Sequence, residues 1–147
     1  MADETPFDPA RVSASFARQR IMKTLGANLE AVSPGEVTIV MPMNDAFTQQ
    51  HGYLHAGAIA SIADSACGYA ALTVMPSDAA VLSIEFKTNM LAPADGDRFV
   101  ARGRVIKPGR TIVVCDATVH AVRNGSERLV ATMTGTMMVV RGRGISD

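Results

Sequence analysis

Hydrophobic periodicity divides the chain into two regimes. Between Ala56 and Met75 there is no proline, and Ile59, Ile62, Ala63, Ala66, Cys67, Ala70 and Val74 recur at helical spacing until Pro76 stops the run. About twenty residues at 1.5 Å each give a helix roughly 28 Å long, enough to cross a small domain. Its many alanines and glycines let other elements approach from all sides, so it is expected to be central and buried. After Pro76 the apolar period becomes two. Leu82, Ile84, Phe86 and Met90 alternate with Ser83, Glu85, Lys87 and Asn89, which predicts a strand over 81–91 with those apolar residues on its core face.

Three further strands are expected at 99–107, 111–122 and 129–140. Pro108-Gly109 and Asn124-Gly125 are the intervening turn signals, the second favouring a primed hairpin turn. Val113, Cys115, Ala117, Val119 and Ala121 form one apolar face, and Leu129, Ala131, Met133, Met137 and Val139 another. The four strands are expected to run as a meander. Before the helix, runs at 25–32 and 36–43 flank Ser33-Pro34-Gly35 and predict a hairpin. Residues 10–25 read as a short amphipathic helix carrying Val12, Phe16, Ile21 and Met22. Residues 1–9 read as disordered. One helix on a strongly curved antiparallel sheet is an α+β arrangement. The expected organisation is a tail and short helix over 1–24, a single domain over 25–141 and a short tail over 142–147.

At 147 residues the chain is long enough for a sizeable core without disulfides. Its 14 basic residues balance 14 acidic ones, so charge points to neither nucleic acid nor an anionic membrane as a partner. Cys67 and Cys115 sit in apolar segments and read as small core residues of a reducing compartment. The acidic N-terminus has no apolar signal region, and the long apolar run carries His55 and Asp64, which argues against a membrane span. A cytoplasmic location is expected.

Asp64 is the anomaly of the helix, because carboxylates are almost never buried without a partner. It faces a cleft or pairs with something. The start of the same helix, near Ala56 to Ala58, presents unpaired N–H groups and the positive end of the helix dipole, suited to a carbonyl oxygen that gains charge in acyl transfer. Asp64 would activate water or attack directly, with Gln49 or His55 orienting the reacting groups. There is no serine-nucleophile motif, no paired histidines for zinc and no phosphate loop.

The run LHAGAIASIADSACGYA, with His55, Ala56, Gly57 and Asp64 at the spacing H-[AG]-G-x(6)-D, resembles the signature of hotdog-fold acyl-CoA thioesterases of the phenylacetate-degradation (PaaI-like) group. The segments IEFKTNMLAPADGD and VIKPGRT resemble that family's following strand, turn and hairpin, and the likeness spans 25–140. It implies a hotdog fold and hydrolysis of a CoA thioester in a site shared by two subunits. Asp64 falls on the family's acidic catalytic residue, general base or nucleophile. His55 falls on the histidine that helps hold the loop and thioester, and Ala56 on the glycine whose N–H polarises the carbonyl. Gln49 stands where many members have asparagine; related 4-hydroxybenzoyl-CoA thioesterases use glutamine there.

Ser83 falls on a position that assists the water in some members, although alternation places it opposite Leu82, Ile84 and Phe86. If those three pack on the helix, Ser83 points away. The resemblance places pantetheine along Asn89, Met90 and Leu91, and the phosphates near basic residues such as Lys107, Arg110, Arg141 and Arg143. It implies no cofactor and no metal, CoA being part of the substrate. Exposed sheet edges need covering, so self-association as a dimer, or a dimer of dimers forming a homotetramer, is expected. A non-catalytic acyl-CoA-binding hotdog module is the alternative from another class, and a hotdog dehydratase is a third.

Overall fold

A computed structural model describes residues 7–147. The disorder expected over 1–9 lies outside the described residues for 1–6. Beyond them, the Asp8 carboxylate accepts from the Ala10 N–H at 2.9 Å and caps α1 (Pro9–Arg18), with Pro9 in a position where its missing N–H costs nothing.

The single helix expected over 10–25 is two. Gln19, at φ −80° and ψ 98°, separates α1 from α2 (Arg20–Leu25). In one straight helix Met22 would sit roughly 80° around from Val12. The break turns both inward, and each is 1% exposed. Gly26, at φ +70°, closes α2, so β1 begins at Asn28 rather than Leu25. β1 (Asn28–Ser33) and β2 (Glu36–Pro42) form the expected hairpin, with Gly35 at φ +77° in its turn.

The central helix α3 spans Ala56–Leu72 and is buried along nearly its whole length. Ile59, Ile62, Ala63, Ala66, Cys67 and Ala70 are each no more than 1% exposed. Around it curves one antiparallel sheet of six strands, completed by β3 (Ala80–Met90), β4 (Arg98–Lys107), β5 (Ile112–Arg123) and β6 (Ser126–Val140), in the order β1-β2-β4-β5-β6-β3. Small residues set how closely sheet and helix meet. A Cβ on Gly103 would lie 2.3 Å from the Ala66 carbonyl, so β4 runs against the helix backbone at a point only glycine fits. This is the hotdog arrangement that the resemblance implies.

Three expectations need correction. The four later strands are not a simple meander: β4, β5 and β6 are consecutive neighbours, but β3 pairs with β6 and is an edge strand. Period-two alternation reports which faces are apolar and is silent about which strand lies alongside. The link 91–97 carries the chain from that edge past the start of α3, where the Leu54 N–H donates to the Ala94 carbonyl at 3.0 Å.

The second correction concerns the faces of β3. Its register with β6 shifts between Ser83 and Glu85, leaving Ile84 as an extra residue. Beyond this bulge the alternation inverts. Ser83 pairs with buried Met137, Phe86 with Gly135 and Met90 with buried Ala131, on the helix side. Leu82, Glu85, Lys87 and Asn89 face outward opposite Met138, Thr136, Thr134 and Thr132. Leu82, Ile84 and Phe86 are therefore not one core face; they are 51%, 51% and 46% exposed. A similar shift in β6 buries Val130 at 1% and leaves Leu129 at 37% exposed, against the apolar face expected to include Leu129.

Candidate active site

The loop before α3 is held by its own backbone. The Gln49 N–H donates to the Tyr53 carbonyl at 2.8 Å, the Gly52 N–H to the Gln49 carbonyl at 3.0 Å, and the His55 N–H to the Phe47 carbonyl at 2.9 Å. Gly52, at φ +84°, makes the turn. His55 caps the helix: its Nδ1 accepts the Gly57 N–H at 2.8 Å, which requires Nδ1 to be unprotonated. The Ala58 and Ile59 N–H groups donate to the His55 carbonyl. The Ala56 N–H is left as the first-turn donor with no acceptor among the described residues.

Gln49 is similarly divided. Its Oε1 accepts from the His51 and Tyr53 backbone N–H groups, which leaves the amide NH₂ unspent among the described residues. Gln49 and Ala56 line a cavity of about 450 Å³ with Tyr53, Ile59, Met90 and Leu91, among others, and no carboxylate is in its wall. It offers two hydrogen-bond donors in apolar surroundings, which suits a carbonyl oxygen becoming negative.

Asp64 lies eight residues along α3, about 12 Å from Ala56 on the helix axis. Its Oδ1 accepts from the Ser83 Oγ at 2.7 Å, and the same Ser83 Oγ lies 3.3 Å from Met137 Sδ. Burial raises the Asp64 carboxyl above the ordinary carboxylate range, and the Ser83 hydrogen bond offsets only part of the rise. A half-buried carboxylate with a raised pKa and no ion-pair partner among the described residues is the form a general base takes. It opens on a second cavity of about 110 Å³, shared with Gln19, Ser65, Gly68, Tyr69, Val81, Ser83 and Asp147.

The residues expected to act together are thus split. Gln49, Ala56, Met90 and Leu91 share the first cavity; Asp64 and Ser83 share the second. His55 and Gly57 bond to each other at the helix cap instead of lining either. Asn89 is on the outward face, its Oδ1 accepting from Lys87 Nζ at 2.7 Å. Lys107 and Arg110 are exposed around the β4–β5 turn. That turn lies toward the C-terminal end of α3, where Thr73 Oγ1 accepts from the Gly35 N–H at 2.7 Å and the Gly35 carbonyl accepts from Val105. Arg141 pairs with Asp78 at 2.9 Å.

The bulge at Ile84 is why Ser83 reaches Asp64 although alternation pointed it away. Gln19, Ser65, Tyr69 and Asp147 were missed; the sequence signal for two of them is that Ser65 and Tyr69 lie four apart on one side of the helix, with the small Gly68 between them and Asp64. Both cysteines are buried and free, and burial pushes the Cys115 thiol up to about 12 and Cys67 higher still, so neither is a ready nucleophile. Among the described residues no His, Cys, Asp or Glu cluster is placed to hold a metal, and no helix is long and apolar enough to cross a membrane.

A long helix of small residues wrapped by a six-stranded antiparallel sheet, with a donor-lined cleft at its start and a lone half-buried aspartate further in, defines a hotdog protein. Comparison with known proteins narrows the class. The model of the thioesterase superfamily matches residues 51–127. A thioesterase family protein from Silicibacter pomeroyi is 54% identical and superposes with a TM-score of 0.88, covering 90% of this chain and 97% of that one. The 1,4-dihydroxy-2-naphthoyl-CoA hydrolase of Listeria monocytogenes is 23% identical over 84% of this chain and 98% of its own length. The PaaI protein from the phenylacetic acid degradation operon of Escherichia coli, 22% identical, shares the fold with a TM-score of 0.80 over 90% of this chain and 93% of that one. The chain belongs to the thioesterase superfamily.

Proposed function

We propose that the protein hydrolyses acyl-CoA thioesters in a site that two copies build together. The observation that carries this is the separation of about 12 Å along α3 between the Ala56 N–H and Asp64. Attack on a carbonyl needs the base, its water and the carbonyl within about 3–3.5 Å of one another, so one chain does not supply both halves to one substrate.

The free edge of β3 joins the halves. Ser83, on Asp64, and Met90, on the donor-lined cavity, are both on this strand. Antiparallel pairing of two β3 edges about a two-fold axis at Lys87 sets Ser83 of one copy against Met90 of the other, with Ile84 left out of the ladder as the bulge residue. It also covers an eleven-residue unpaired edge and the exposed Ile84 and Phe86 side chains. Asp64 then faces the second copy's Ala56.

In that site the thioester oxygen accepts from the Ala56 N–H and the Gln49 amide. A water held between the Ser83 Oγ and Asp64 gives its proton to the carboxylate, and its oxygen bonds to the carbonyl carbon. Collapse of the tetrahedral intermediate breaks the C–S bond; the thiolate leaves and takes up the proton, giving free acid and CoA. That the Listeria relative is a CoA-ester hydrolase supports CoA as the carrier.

The test is thiol release by purified protein across a panel of CoA esters. Hydrolysis that falls about a thousandfold in Asp64→Asn is expected. Binding of the esters without turnover would instead establish a non-catalytic acyl-CoA-binding module.

A further inference from the structure

The cavity beside Asp64 is small and unusually polar for one that receives an acyl chain. The break at Gln19 swings that amide across to α3, where Oε1 accepts from the Ser65 Oγ at 2.7 Å and Nε2 lies 3.3 Å from the Tyr69 hydroxyl. The Tyr69 hydroxyl is 3.2 Å from the Ser15 Oγ, which donates to Asp147 Oδ1 at 2.7 Å; Asp147 Oδ2 accepts the Val81 N–H at 2.8 Å.

A carboxylate at one end fixes the direction of every bond. Ser15 spends its only proton on Asp147, so Tyr69 donates to Ser15, Gln19 donates to Tyr69 and Ser65 donates to Gln19. What remains unspent among the described residues is one N–H of the Gln19 amide and the lone pairs of the Ser65 Oγ. One donor and one acceptor, side by side on a cavity that also holds the base, match a hydroxyl group.

Resting on the thioesterase reading above, we propose that the Gln19–Ser65 corner recognises a hydroxyl on the acyl group, so that the substrates are short hydroxyacyl thioesters. With the carbonyl at the second copy's Ala56 and Asp64 beside it, the acyl group points into this cavity. At about 110 Å³ it is smaller than the ~150 Å³ that admits a benzene ring, which limits the chain to a few carbons. The Asp147 carboxylate, already engaged on both oxygens, disfavours a second negative charge there.

The experiment compares kcat/KM for 3-hydroxybutyryl-CoA against butyryl-CoA, and for 3-hydroxyhexanoyl-CoA against hexanoyl-CoA, in the wild type and in Gln19→Leu and Ser65→Ala. The hydroxylated member is expected to win by about tenfold in the wild type, since a site built to bond a hydroxyl rejects the analogue lacking it. The ratio is expected to fall towards one in both variants. Should Gln19→Leu fold poorly, Ser65→Ala decides the question, because alanine fits that helical position. Equal or reversed preference in the wild type, or a ratio unmoved in folded variants, overturns this inference while leaving the thioesterase standing. No hydrolysis of any ester overturns both.

Discussion

The two cavities along α3 are built to opposite specifications. The one at its start is the larger, is mostly apolar, offers two donors and has no carboxylate; the one around Asp64 is the smaller and mostly polar, and it contains the Asp64 carboxylate. In the proposed reaction one polarises a carbonyl and the other delivers an attacking water. A helix that carries both functions at a fixed spacing of about 12 Å would, in that reaction, use them on different substrates, which would make pairing of chains part of the chemistry.

The comparison breaks hardest at Asp64. Asp64→Asn keeps an acceptor for Ser83 but loses the base, and kcat is expected to fall about a thousandfold in steady-state thiol release. Next is Ala56→Pro, which deletes one N–H in the other cavity. Proline is tolerated in the first helical position, and His55, at φ −63° and ψ 141°, already has the conformation that a residue before proline adopts. A fall of about a hundredfold in kcat with an unchanged far-ultraviolet spectrum is expected.

Ser83→Ala is milder and informative through pH. In the proposed mechanism Asp64 acts ionised, so kcat/KM is expected to drop as pH falls through its raised pKa. Removing the hydrogen bond that lowers this pKa moves the acid limb to higher pH, with a loss in rate of about tenfold or less. The smallest effect is on stability. A carboxyl whose folded-state pKa lies above its unfolded value costs stability as pH rises through the two. Asp64→Asn is therefore expected to melt above the wild type at pH 7 by differential scanning calorimetry, and the advantage should vanish below the ordinary carboxylate range.

Much of this contrast was visible before the structure. An alanine-rich run with one acid identifies both the central helix and the anomaly, because a carboxylate among small apolar residues has few explanations. Turn chemistry at Gly35 and Asn124-Gly125 placed two hairpins correctly. What periodicity could not carry was a one-residue insertion. The bulge at Ile84 exchanges the two faces of β3 from that point on, so a strict count of two sent Ser83 away from the residue it touches. Nor does alternation name neighbours, which is why β3 was expected beside β4 and instead lies at an edge beside β6. The polar wall around Asp64 was hidden for a third reason: Gln19 and Asp147 are far from Asp64 along the chain and share its cavity only through tertiary packing, with Ser15 behind them on Asp147.

The central claim is tested most directly by mixing the two disabled proteins, Asp64→Asn and Ala56→Pro, unfolding them together and refolding. In a mixed pair one site carries both defects and the other carries none. Random pairing therefore predicts about a quarter of wild-type activity from two nearly inactive samples. A mixture that stays as inactive as its components, with mixed pairs shown to be present, would mean that each chain supplies both groups to its own substrate and would contradict the account.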